Sequence, residues 1–136
     1  IRVERDYQDF DPVELEGASI QRVMVNLLEN ARWAVEHRAD QAGDDIVPTI
    51  RLSTADLGDV VQVRVEDNGV GIPATNCARV FEPFFTTQPA GTGTGLGLSL
   101  AYDIVTEGHG GTLQAYSRLG EGATFILTLP RSGNGE

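Results

Sequence analysis

Apolar and polar residues along this chain follow two rhythms, one of three to four residues and one of two, and their succession outlines the fold. From Ser19 onward, Ile20, Val23, Met24, Leu27, Leu28, Ala31 and Val35 recur at helical spacing, which predicts an amphipathic helix with Ser19 as N-cap. Ahead of it, Ile1 to Arg5 alternates apolar and charged side chains like a short edge strand, and a polar, proline-containing connector runs through Gly17. Ala39 to Pro48 reads as a loop. Thr49 to Thr54 and Val60 to Glu66 then keep period two as a hairpin, with Val61, Val63 and Val65 on one face and Gln62, Arg64 and Glu66 on the other. Asp67 to Pro73 is a glycine-bearing loop and Asn76 to Phe81 a short helix, while Phe84 to Thr94 is too polar to pack well and predicts a mobile lid. A second long helix is expected from Leu96 to Glu107, stopped by Gly108, before strands near Thr112 to Ser117 and Ala123 to Leu129 meet around Gly120-Glu121-Gly122. One domain over residues 1–130 is the expectation, with 131–136 as a flexible tail.

Three segments carry candidate chemistry. Thr92-Gly93-Thr94-Gly95-Leu96-Gly97-Leu98-Ser99 opens the second helix, where unpartnered amides and the positive end of the helix dipole suit a phosphate and glycine lets it approach the main chain. Read alone, the run is equally a flexible connector, and no G-x-G-x-x-G fingerprint is completed. Asn26 and Asn30, four apart and off the apolar stripe, point the same way from the first helix; a carboxamide oxygen suits Mg²⁺, although two solvated asparagines would look the same. Asp67 can accept from an exocyclic amine such as adenine N6 while Gly69 and Gly71 let a flat ring lie against backbone, or it can simply form an Asx turn. Phe81 and Phe84 read as core, at the root of the lid.

Composition narrows the classes. A net charge of -10 argues against a nucleic-acid duplex or an anionic membrane surface as the main partner. All 10 cationic side chains are arginine, so a Walker A lysine and a protein-kinase-type lysine are both excluded. Cys77 stands alone and can form neither an internal disulfide nor a multi-thiolate metal site, which fits a reducing, cytoplasmic setting. No apolar run approaches a membrane span, so direct membrane insertion of this domain is not expected.

Taken in order, these segments resemble the ATP-binding catalytic domain of bacterial sensor histidine kinases, within the wider family shared with gyrase-type ATPases, Hsp90 and mismatch-repair ATPases. Asn26 to Ala31 looks like the N box, Asp67 to Gly71 the G1 box, Phe81 to Phe85 the F box and Gly93 to Ser99 the G2 box, with His109-Gly110-Gly111 and Gly122-Ala123-Thr124-Phe125 resembling the closing strands. The resemblance implies an α+β fold, a two-layer α/β sandwich whose mixed, largely antiparallel sheet carries helices on one face, the Bergerat ATP-binding fold. It implies Asn30 as ligand to Mg²⁺ with Asn26 beside it facing the phosphates, Asp67 on adenine N6 with Thr124 helping through water, and main-chain amides of Gly95, Leu96, Gly97 and Leu98 on the phosphates of ATP. The γ-phosphoryl would pass to a histidine on a separate dimerisation domain and then to a response-regulator receiver domain.

Gyrase-type relatives carry glutamate four residues before the metal-binding asparagine, where this chain has Asn26, a feeble general base. Hydrolysis is therefore disfavoured against transfer to an acceptor, the alternatives being a hydrolysing ATPase or a nucleotide-binding pseudokinase module. Where many histidine kinases place a basic residue and then an aromatic soon after the N box, this chain has Arg32, Trp33 and Ala34, and Gln88 stands where lysine is frequent. Neither His37 nor His109 sits in a phosphoacceptor pattern.

Overall fold

Five strands form one sheet in the order β1-β2-β3-β5-β4, where β1 is Arg2–Asp6, β2 Thr49–Asp56, β3 Val60–Asp67, β4 Thr112–Arg118 and β5 Gly122–Pro130. The computed structural model describes residues 1–7, 17–42, 47–82, 97–118 and 120–130. β1 runs parallel to β2 and every other pairing is antiparallel, which is the mixed, largely antiparallel sheet expected. The expected lid from Phe84 to Thr94, the glycines Gly93 and Gly95 with Leu96, and the tail 131–136 lie outside the described residues.

Strand parity decides what is buried. Ile50, Val61, Val65, Leu113, Ala123, Phe125, Leu127 and Leu129 project to one side and, with Val23, Leu27, Ala31 and Val35 of the first helix, form the core. Phe125, Leu27 and Leu127 are fully enclosed, each contributing roughly 1.5–3 kcal/mol relative to exposure. The other face carries Gln62, Arg64, Glu66, Gln114 and Tyr116, and among the described residues no helix covers it.

The helices differ from expectation at their ends. α1 spans Gly17–Ala42, so it starts before Ser19 and takes in the first residues of the expected loop at 39–48. α2, Gly97–Asp103, continues as a π turn at Ile104–Gly108 rather than as regular α-helix to Glu107. Two side chains hold that wider turn: the Thr106 hydroxyl donates to the Tyr102 carbonyl at 2.8 Å, and Nδ1 of buried His109 lies 3.0 Å from the Ile104 carbonyl. A carbonyl only accepts, so Nδ1 carries the proton, and His109 is structural. The short helix expected at Asn76 to Phe81 is a single 3₁₀ turn at Ala74–Asn76 followed by hydrogen-bonded turns.

Candidate functional site

β3 extends one residue past the predicted hairpin, and that residue is Asp67. Counting by twos from Val61 through Val65 places its side chain on the helix-covered face, only 8 % exposed, between Ile50 of β2 and Ala123 of β5. Oδ1 accepts from the Gly69 amide at 2.8 Å. Oδ2 is buried and has no hydrogen-bond partner among the described residues. Burial pushes the carboxyl up to about 6, against the Gly69 and Ala123 backbone amides, which pull it down. A buried acceptor left open marks a place where a donor is missing, and an exocyclic amine supplies one.

The turn after Asp67 is fixed on three sides. Towards α1, the Val70 amide donates to the Ala34 carbonyl at 3.2 Å, and Arg38 Nη1 donates to the carbonyls of Asn68 and Gly69 at 2.9 and 3.2 Å. Towards β2, the Asn68 side chain accepts from the Thr49 amide at 2.8 Å and donates to the Val47 carbonyl at 2.8 Å. Towards the β4–β5 hairpin, the Ser117 hydroxyl accepts from the Ile72 amide at 2.7 Å and donates to the Gly122 carbonyl at 2.7 Å.

This arrangement gives the two glycines a structural role. A Cβ on Gly69 would stand 2.5 Å from the Ala34 carbonyl carbon, and one on Gly71, whose φ is +74°, would run into the Arg118 carbonyl. On the side where a Cβ would stand, both meet protein, so they seat the turn on α1 and on the hairpin. The reading of Thr124 is corrected. It pairs with Glu66, between Ala123 and Phe125 of the helix-facing row, so its side chain belongs to the opposite face from Asp67. Ala123 stands beside Asp67 instead and offers its backbone amide but no polar side chain.

On α1, Asn26 and Asn30 are both half-buried on one flank of the apolar stripe. Asn26 Nδ2 donates to the Gly97 carbonyl at 3.0 Å, which ties α1 to the first residue of α2. The Asn30 carboxamide makes no side-chain hydrogen bond among the described residues and is the open oxygen donor of the pair. No cluster of three or more histidine, cysteine, aspartate or glutamate residues suited to a metal occurs among the described residues. A cation here would take Asn30 as a single neutral ligand, which suits Mg²⁺ completing its shell with water and phosphate oxygens. Gly97 and Leu98 begin α2 as expected.

Trp33 and His37 continue the Asn26–Asn30 flank and stack at 4.7 Å with planes 15° apart. Phe81 stacks on Tyr102 at 5.2 Å and meets Phe125 edge-on at 6.2 Å, the core role expected of it. Sequence reasoning missed Arg38, Asn68 and Ser117. Only Arg38 left a signal, as a cation on a helix end with glycines nearby.

Comparison with known proteins places this geometry. Residues 16–133 match the family of histidine kinase-, DNA gyrase B-, and HSP90-like ATPases. The chain is 39% identical over 134 residues to sensor kinase CckA of Brucella abortus (strain 2308), covering 91% of this chain and 14% of that protein, so it spans about a seventh of that relative's length. Among solved structures it resembles the nucleotide-free catalytic domain of histidine kinase ThkA, with a TM-score of 0.80 and 30% identity over 99% of this chain and 82% of that one. It also resembles ThkA in complex with the response regulator protein TrrA, with a TM-score of 0.71 and 28% identity over 96% of this chain and 34% of that one. The chain belongs to the histidine kinase-, DNA gyrase B-, and HSP90-like ATPase family, as a catalytic domain of the histidine-kinase type.

Proposed function

We propose that this domain binds ATP with Mg²⁺ and presents the γ-phosphoryl to a histidine on a separate dimerisation domain of the same parent protein, from which it passes to a response-regulator receiver domain. The observation that carries the reading is the buried Asp67 Oδ2, an acceptor without a donor, which the N6 amine of adenine would satisfy. Asn30 would hold Mg²⁺, which when bound neutralises charge on the triphosphate. Gly97 and Leu98, with Gly93, Gly95 and Leu96 ahead of them, would offer main-chain amides to the phosphates. Asn26 keeps the start of α2 against α1 through its bond to Gly97.

Asn26 carries no basic group, and the reaction proposed needs none. A neutral imidazole nitrogen has a lone pair in place and forms its bond to phosphorus as the bond to the β–γ bridging oxygen breaks and ADP leaves. Water, by contrast, needs a base to become a competent nucleophile, so hydrolysis is the disfavoured outcome. The response regulator as partner is supported by the structure of a similar kinase in complex with one. Among the described residues no helix is long and apolar enough to cross a membrane. The site of action we infer is the cytoplasm, with neither nucleic acid nor membrane as direct ligand of the domain.

The deciding experiment mixes the domain with its histidine-bearing partner and γ-labelled ATP. Acid-labile, base-stable label on the partner, lost with Asn30→Asp in this chain, is the expected result. Stable label on this chain alone, or rapid release of free phosphate without the partner, would overturn the reading.

A further inference from the structure

We propose that Arg38 is a positioning residue for base recognition, holding Asp67 in register with the helix that carries Asn30 by clamping the two peptide units that follow it. The proposal rests on the reading of Asp67 as the acceptor for adenine. Its geometry rests on the planarity of the peptide bond. Arg38 Nη1 donates to the Asn68 carbonyl at 2.9 Å, and the amide of that same peptide unit is the Gly69 N–H that donates to Asp67 Oδ1 at 2.8 Å. The two groups sit at opposite ends of one rigid plane, so the guanidinium sets the direction of the N–H and thereby which carboxylate oxygen is occupied and which is left open.

The next peptide unit repeats the device. Arg38 Nη1 reaches the Gly69 carbonyl at 3.2 Å, and the amide of that unit, Val70 N–H, donates to the Ala34 carbonyl one helical turn before Arg38. Each plane is thus held at both ends, three of the four ends by α1 and the fourth by Asp67 itself. A charged donor polarises the carbonyls it binds and strengthens the N–H at the far side of the same unit, so the clamp also stiffens the bond to Oδ1. Close contact completes the fit, since Gly69 has no room for a Cβ against Ala34. Asn30 lies two helical turns from Arg38 on the same α1, so the element that would hold the metal is the one that aims the base-reading carboxylate.

Titration calorimetry of the chain with ATP and with GTP, for the parent, Arg38→Ala and Arg38→Lys, tests the assignment. Arg38→Ala is expected to bind ATP about tenfold more weakly with GTP affinity little changed, so that the ATP-to-GTP ratio falls. Arg38→Lys, which keeps the charge but not the planar fork, is expected to recover part of the ratio. A purely structural loss would lower the binding stoichiometry and the melting temperature and leave the ratio alone, which would overturn the proposal. Should Arg38→Ala fail to fold, Arg38→Lys decides, a ratio equal to the parent's counting against the clamp. A parent chain that binds ATP and GTP equally would overturn the adenine reading of Asp67 and this inference with it; a parent that prefers ATP alongside an unchanged Arg38→Ala ratio would overturn this inference alone.

Discussion

The Asn26 side chain donates to the carbonyl of Gly97 across 3.0 Å, bridging the middle of α1 to the first residue of α2. An asparagine at this position therefore acts first as a hydrogen-bond donor to backbone, a role that a glutamate or aspartate of similar reach performs badly, because its ionised oxygens only accept.

Asn26→Asp is the corresponding test. It sets a carboxylate against a carbonyl oxygen and adds negative charge where phosphates are expected, so the melting temperature should fall and ATP affinity should drop by about a further 1–3 kcal/mol. Calorimetry beside a thermal melt separates the two effects, and an unchanged affinity would show that the Asn26–Gly97 bridge is irrelevant to binding.

Asp67 imposes a pH dependence of opposite sign on stability and on binding. Its folded value of about 6 lies above the ordinary 3.8, so between those values the native state holds more protons than the unfolded chain. Stability of the ligand-free chain should therefore fall as pH rises through that window, by roughly 3 kcal/mol at most, and stay low above it. Binding should run the other way, since only the ionised group accepts from an amine at full strength: ATP affinity is expected to drop as pH falls below about 6. Melts and titrations from pH 5 to 8 check both slopes.

Asp67→Asn should separate fold from function. Removing the buried charge raises the melting temperature of the ligand-free chain at pH 8, whereas losing a charge-assisted acceptor weakens ATP binding by about 1–3 kcal/mol and blurs the preference for ATP over GTP. A variant as unstable as the parent at that pH would refute the burial penalty.

Metal dependence isolates Asn30. Chelating Mg²⁺ should weaken ATP binding by the parent chain several-fold, and Asn30→Ala should bind ATP with the same low affinity whether or not the cation is present. Retention of a full Mg²⁺ effect in Asn30→Ala would move the metal to another ligand.

Gly69→Ala probes the seat of the turn. A Cβ 2.5 Å from the Ala34 carbonyl carbon forces the turn off α1, and a loss of about 1–3 kcal/mol in stability is expected, read as a lower denaturation midpoint.

Much of this was legible in the residue pattern, and the failures have a common cause. The α1 stripe and the β3 alternation were readable because burial acts on every third or fourth, or every second, side chain and leaves a periodic trace. The same parity rule, carried one step further, puts Asp67, which the residue pattern reads as the start of a loop, with Val65 on the buried face, and Thr124, which it reads within a strand, with Ile126 and Thr128 on the other. Gly69 and Gly71 were read as making room for a ligand, and on the side of a Cβ they make room for Ala34 and for the Arg118 carbonyl; a glycine signals close approach without saying of what. The π turn rests on His109 bonding back to Ile104, and the Arg38 clamp on a partner 30 residues away, and neither contact leaves a local pattern in the chain.

The hydrogen bonds around the Asp67 turn also constrain when it can exist. They join it to Arg38, 30 residues earlier than Asn68, and to Ser117, 45 residues later than Ile72, so the turn cannot close until three distant stretches of chain have met. During synthesis, a chain that has not yet delivered the β4–β5 hairpin lacks the contacts from Ser117, Arg118 and Gly122 that seat the turn after Asp67. If adenine is read by Asp67 as proposed, capture of nucleotide is confined to the completed fold, and ligand binding would report assembly of the whole sheet rather than of any one motif.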